Sequence, residues 1–352
     1  MRTVYHPDAV LHEPPRFLVR GEPRPVPEKP ERARAIVELL SARGLAPDLP
    51  PDYGPGPRAA VHSRDYLAFL ETAYERWSRL EDASPAVIPN VFRGPGMQSY
   101  PRDVVGQAGF HLSDTACPIA AGTWRATAWS ANSAVHAARL VATGAEDTAY
   151  AVCRPPGHHA SRDRAGGFCF LNHAAIAAQE CLSLLTARGQ RPRVAILDVD
   201  VHHGNGTQEI FYDRDDVLFA SVHADPDGFY PFLAGHAHER GEGRGLGYTL
   251  NRPLPLGTDE ATFLAETEAI CAEIGRFGPE ILILSLGFDT YMHDPLAAFG
   301  VTTPGFARLA RILRAMRLPT VIIQEGGYAI DALNANLGSF LDGWTTPDGE
   351  TA

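Results

Sequence analysis

No apolar run in this 352-residue chain approaches the ~18 residues that a membrane-spanning helix needs, so the chain reads as soluble and no membrane partner is expected. Behind Met1-Arg2-Thr3 there is neither a long apolar segment nor a small-residue cleavage site; no secretory leader is expected, and a cytoplasmic location follows by default. Cysteine is sparse. Cys117, Cys153, Cys169, Cys181 and Cys271 are odd in number and never spaced as Cys-x-x-Cys, which favours reduced core thiols over a zinc knuckle or a disulfide framework. Cations are in deficit, with 31 Lys and Arg against 42 Asp and Glu and a net charge of −11. That balance argues against nucleic acid as a partner, because affinity for a phosphate backbone comes largely from basic side chains. There is no internal repeat, and no Gly-x-Gly-x-x-Gly follows the first strand, so a dinucleotide site has little support.

What the chain does have is alternation of two kinds of segment. Short, almost continuously apolar runs at 149–153, 194–198, 217–222, 281–285 and 320–323 read as strands covered on both faces, hence a mostly parallel sheet. Helical spacing runs over 28–43, 65–79, 124–143, 172–188, 260–276 and 304–317. The reading is one α/β domain over 1–352, its mostly parallel sheet flanked by helices on both faces. Between about 81 and 123 periodicity gives way to Pro, Gly and Ser, and a loop of that length is commonly functional.

In an open parallel sheet, ligands bind beyond the carboxyl ends of the strands, and the unusual polar clusters fall at those ends. One strand runs into Asp198-Val199-Asp200-Val201-His202-His203-Gly204-Asn205-Gly206, another into Ser285-Leu286-Gly287-Phe288-Asp289. Two more run into Arg154-Pro155-Pro156-Gly157-His158-His159 and Gln324-Glu325-Gly326-Gly327-Tyr328. Asp200 and His202 are two apart, so an extended segment points both to one side. With Asp289 they make a mixed O and N set that leaves a divalent ion an open position for water. Zinc is favoured, although two carboxylates and one imidazole would also accept Fe(II) or Co(II). Any one of these residues alone has an ordinary explanation, a helix cap or a satisfied histidine; the combination is harder to dismiss.

Together with Gly166-Gly167-Phe168-Cys169-Phe170-Leu171-Asn172, these stretches resemble the histone deacetylase superfamily, and more closely its acetylpolyamine amidohydrolase branch, over nearly the whole chain. The resemblance implies an arginase/deacetylase fold and hydrolysis of the amide of an N-acetylated amine. It implies one Zn²⁺ per subunit on Asp200, His202 and Asp289, with His159 as general base and His158 as its electrostatic partner or the acid for the departing amine. Asp198 would hydrogen-bond one imidazole and Asn205 the other, while Tyr328 would donate to the oxyanion. Phe168, after Gly167, and Tyr230 would line a narrow acyl-amine tunnel. A potassium ion would use Asp198 and Ser221. The 81–123 segment would lengthen the mouth and pair two subunits into a homodimer.

Where relatives of that branch carry acidic residues in this loop, the matching positions are Val105 and Ala116. Asp103 and Asp114 lie near, but an extended segment turns neighbouring side chains to different faces. The substrate therefore stays open between an acetylpolyamine or similar small acetylated amine and an acetyl-lysine protein. A metal-binding module without turnover is the reading from another class, and the presence of Tyr328 and both histidines speaks against it. A two-manganese arginase is disfavoured by the single complete ligand set, and His236 and His238 read as a solvated loop.

Overall fold

Seven parallel strands position everything else. In chain order they are β1 (Arg2–Val4), β2 (Thr148–Ala151), β3 (Val194–Asp198), β4 (Val217–Ala224), β5 (Thr249–Leu254), β6 (Ile281–Leu286) and β7 (Thr320–Gln324). The computed structural model describes residues 1–189 and 191–345, and its sheet order is β1-β2-β7-β6-β3-β4-β5. Every residue of β3, β4, β6 and β7 is buried, as strands covered on both faces must be.

Side chains alternate between two cores. Val194, Ile196, Ile281, Ile283, Val321 and Ile323 face one, packed with Phe69, Ala134 and Ile176 from helices Arg64–Trp77, Thr123–Ala142 and His173–Ala187. Ala195, Leu197, Leu282, Leu284 and Ile322 face the other, against Ile36, Ile270, Leu309 and Leu337 from helices Pro30–Ala42, Glu260–Phe277, Thr303–Arg314 and Ile330–Thr345. This is the α/β arrangement with helices on both faces that the alternating segments predict.

Local signals set the helix ends. Ser63, Asn172, Asp259 and Thr302 each accept a backbone N–H in the first turn, relieving donors that a helix start leaves unpaired. Differences from the sequence reading lie at the periphery. β1 has three residues, and β5 reads Thr-Leu-Asn-Arg-Pro-Leu, with a proline tolerated because the strand lies at the sheet's edge. Within 81–123, read as aperiodic, Val104–His111 forms a helix capped by Asp103, whose Oδ1 accepts Val105 N–H at 2.7 Å.

From β3 the chain steps through β4 and β5 in one direction, while from β6 it steps to β7 in the other. The connections therefore diverge between neighbouring β3 and β6, the place at the strands' carboxyl ends where open α/β sheets put their ligands.

Candidate active site

The alternation of β3 continues past its end. Val199 and Val201 stay in the apolar core, so Asp198, Asp200 and His202 emerge on the opposite side. Asp289 arrives from the tip of the adjacent β6. Its Oδ1 accepts the Val201 N–H at 3.0 Å, which fixes the loop between Asp200 and His202. Asp200 Oδ1 accepts the His202 N–H at 2.9 Å and Oδ2 the Gly326 N–H at 2.8 Å. His202 Nδ1 lies 3.1 Å from Asp200 Oδ1 and 3.2 Å from Asp289 Oδ2. One ligand atom from each of Asp200, His202 and Asp289 lies within 4.8 Å of the others.

These residues fit a divalent cation. Asp289 Oδ2 is buried and makes no well-formed hydrogen bond, with His202 Nδ1 3.2 Å away, and a buried polar atom left short of partners ordinarily costs a folded protein about 1–3 kcal/mol. Burial, and then the negative charge of Asp200, push the Asp289 carboxyl up to about 7. A cation held by these residues would relieve both penalties, and two oxygens with one imidazole nitrogen suit zinc, Fe(II) or Co(II). The glycine at 326 is required: a Cβ there would overlap Oδ2 of both Asp289 and Asp200.

The histidine pair comes from the segment after β2. His158 and His159 have ring centroids 4.0 Å apart, yet their environments drive them in opposite directions. His158 Nδ1 is 2.9 Å from Asp198 Oδ2, and His159 Nδ1 is 2.8 Å from Asn205 Oδ1. Burial opposes charge on His158, but the Asp198 and Asp200 carboxylates outweigh it and raise the group to about 10. Burial and the neighbouring charges of His158 and His202 hold His159 well below its ordinary value. The two neighbouring imidazoles are thus driven toward opposite protonation states, His158 charged and His159 neutral.

Tyr328 packs edge-on against Phe168, centroids 5.9 Å apart, and the Arg32 guanidinium carbon lies 4.7 Å over its ring. Burial pushes its phenol well above the usual range, so the hydroxyl keeps its proton. Tyr230 meets His159 edge-on at 4.8 Å, while Phe229, which the sequence reading passed over, stacks on His202 at 4.9 Å. Gly167, with φ of 50°, passes so close to His159 and the Tyr230 hydroxyl that a Cβ would collide with both.

Asp114 differs from the extended-segment expectation. Its Oδ2 accepts the Tyr230 hydroxyl at 2.6 Å and the Gly167 N–H at 3.0 Å, which brings a carboxylate to the aromatic collar. Val105 is half-buried, Ala116 packs against the Phe168–Tyr328 cluster, and Asp103 is occupied as a helix cap. Asp198 and Ser221 are paired in register on β3 and β4 and fully buried, the Ser221 hydroxyl lying 2.8 Å from His223 Nδ1. His236 and His238 stack at 5.5 Å, with the exposed Asp227 3.8 Å from His236.

Three buried groups had no role assigned from sequence. Glu325 Oε2 accepts the N–H groups of Gly157 and His158, at 2.7 and 3.2 Å, holding the histidine segment to β7. Arg154 donates to the carbonyls of Ala9, His12 and Lys29, tying that segment to the N-terminal residues. Arg32 pairs with Glu28 at 2.8 Å and donates to the Glu325 and Gly327 carbonyls. Glu325 and Arg154 stand inside the quoted motifs; Arg32 sits on an ordinary amphipathic helix and carries no sequence signal.

The family model described as the histone deacetylase domain matches residues 26–343. The chain is 50% identical over 346 residues to an acetylpolyamine amidohydrolase of Burkholderia pseudomallei, covering 98% of each, and 38% identical to one from Mycoplana ramosa, covering 97% of this chain and 99% of that one. A crystal structure of the Burkholderia pseudomallei acetylpolyamine aminohydrolase superposes with a TM-score of 0.93 at 49% identity, again over 98% of each chain.

Proposed function

Because the chain belongs to the histone deacetylase family, we propose that it is a zinc-dependent deacetylase that hydrolyses the amide of small N-acetylated amines, acetylpolyamines foremost. Relatives of that name at 38–50% identity over the full length support the substrate class. The observation that carries the chemistry is the convergence of Asp200, His202 and Asp289 within 4.8 Å.

A metal held there would supply Lewis-acid polarisation of the amide carbonyl and a lowered pKa for the attacking water. The chain's residues do the rest. Neutral His159 is the residue placed to accept a proton from the attacking water, its Nδ1 turned to Asn205 so that Nε2 is the accepting nitrogen. Tyr328 donates its hydroxyl hydrogen to the oxygen that gains charge as the tetrahedral adduct forms. Charged His158, oriented by Asp198, gives a proton to the departing amine. Phe168 and Tyr230 line the acyl-amine tunnel and keep water from the alkyl chain.

Asp114 supports a cationic substrate: its carboxylate accepts the Tyr230 hydroxyl, and a distal ammonium passing that ring would gain from a negative charge. Potassium at Asp198 and Ser221 belongs to the same reading, since buried oxygen donors suit an alkali ion. So does a cytoplasmic homodimer paired through the 81–123 segment, whose Val91, Phe92 and Met97 are exposed large apolar side chains. Among the described residues no helix is long and apolar enough to cross a membrane.

Turnover of acetylputrescine, acetylspermine and an acetyl-lysine peptide tests the substrate class. The two small amines are expected to be hydrolysed with kcat/KM about tenfold or more above the peptide, about 1.4 kcal/mol of transition-state discrimination. Preference for the peptide would instead make the chain an acetyl-lysine protein deacetylase.

Asn205 gives a pH test. Aspartate at 205 would place a carboxylate on His159 Nδ1, favouring the imidazolium and raising its pKa. His159 must be neutral to accept a proton, so the acidic limb of the kcat/KM profile should move to higher pH in Asn205→Asp. An unmoved limb would take the base role away from His159.

A further inference from the structure

Gly326 and Gly327 leave Tyr328 without local steering. Gly327 has φ of 117°, a conformation open to glycine, so nothing within the turn decides the direction in which the phenol leaves β7. Its direction is set from outside. Arg32 Nε donates to the Gly327 carbonyl at 2.6 Å, and the next backbone groups are held by Asp294. Asp294 Oδ2 accepts the N–H of Tyr328 at 2.6 Å and that of Ala329 at 2.9 Å.

Asp294 is 6% exposed and lies five residues beyond Asp289 on the same loop. One oxygen serves that loop in the ordinary way, Oδ1 accepting the Leu296 N–H at 2.9 Å. The other spans 34 residues to the tip of β7. Bonds from two successive amides to one carboxylate oxygen fix the direction of the backbone at both residues; an acid needed only to cap its own turn would not make them. The loop that begins with a proposed metal ligand thus also seats the proposed oxyanion donor.

We propose that Asp294 is the positioning residue that aims the Tyr328 hydroxyl at the substrate oxygen and fixes it relative to the Asp289 carboxylate. The proposal rests on the oxyanion role given to Tyr328 above. A hydroxyl displaced by about an ångström loses much of its effect in the transition state while changing ground-state binding little. Asp294 therefore acts on kcat, through Tyr328.

The test is a double-substitution cycle on the full-length, zinc-loaded enzyme: wild type, Asp294→Ala, Tyr328→Phe and both together, with kcat, KM and zinc content measured on acetylputrescine. Asp294→Ala is expected to lower kcat about ten- to a hundredfold with KM within about threefold, and to keep one zinc per chain. In the Tyr328→Phe background the same change should cost less than about threefold, since the group it positions is gone. Asp294→Asn, which keeps an oxygen acceptor without the charge, should fall between wild type and alanine; it also carries the cycle if the alanine protein does not fold. Effects that multiply in full, or wild-type kcat in the Asp294 variants beside an impaired Tyr328→Phe, overturn the positioning role alone. Wild-type kcat in Tyr328→Phe itself overturns the oxyanion assignment and this proposal with it.

Discussion

Replacing Asp289 by asparagine is expected to take zinc content from one per chain to near zero and to lower deacetylation at least about a thousandfold, the scale of losing the activated nucleophile. The change is chosen to separate two jobs of one side chain. Oδ1 holds the Val201 N–H, and a carboxamide oxygen can still accept that bond. Oδ2 makes no well-formed hydrogen bond and is the oxygen left for the proposed metal. Asparagine thus keeps the loop and weakens the ligand. Its effect on stability has an unusual sign. With metal absent, burial and the neighbouring Asp200 carboxylate penalise charge on Asp289, so the metal-stripped variant should melt no lower than the metal-stripped wild type. Metal analysis, steady-state kinetics and paired melting curves check all three; a variant that retains zinc and activity would remove Asp289 from the ligand set.

Tyr328→Phe and His159→Ala should leave the metal in place yet cut hydrolysis by roughly a hundredfold or more each, as lost oxyanion and base roles do. Phenylalanine keeps the edge-on packing with Phe168, so what is lost is the hydroxyl donor. A single such donor typically contributes about 2.7–4 kcal/mol to the transition state, and the loss should appear in kcat. For His159→Ala the ring against Tyr230 goes as well, so some rise in KM accompanies the fall in kcat. Full zinc occupancy with near-normal turnover in either protein would refute the role given to that residue.

The central strands and the site at their tips were legible in the sequence for one reason: a strand buried on both faces must be apolar throughout, so the polar residues that follow it stand out. Asp200, His202 and Asp289 could be placed together by alternation and by the rule for parallel sheets. The edges were less legible. β5 carries Asn, Arg and Pro because an edge strand needs neither full burial nor every ladder bond. The helix Ile330–Thr345 contains Gly338 and Gly343, poor formers in isolation. Packing explains the second: a Cβ at 343 would overlap the Ala307 carbonyl, so glycine allows the two helices to approach.

Asp114 and Asp294 show a different limit. Each is an acid in an irregular segment, where sequence suggests only a turn or a cap. What distinguishes them is the far end of the hydrogen bond, Tyr230 in one case and the Tyr328 backbone in the other. Contacts spanning 116 and 34 residues leave no local pattern.

The central claim is that three side chains from neighbouring strand tips share one catalytic divalent ion. Titrating zinc into the metal-stripped enzyme, with activity and X-ray absorption followed together, addresses it most directly. Activity is predicted to rise from near zero and level off at one equivalent, with an absorption spectrum of oxygen and nitrogen ligands, one protein imidazole and no sulfur. Undiminished turnover in the stripped enzyme, or zinc held by a cysteine, would contradict it.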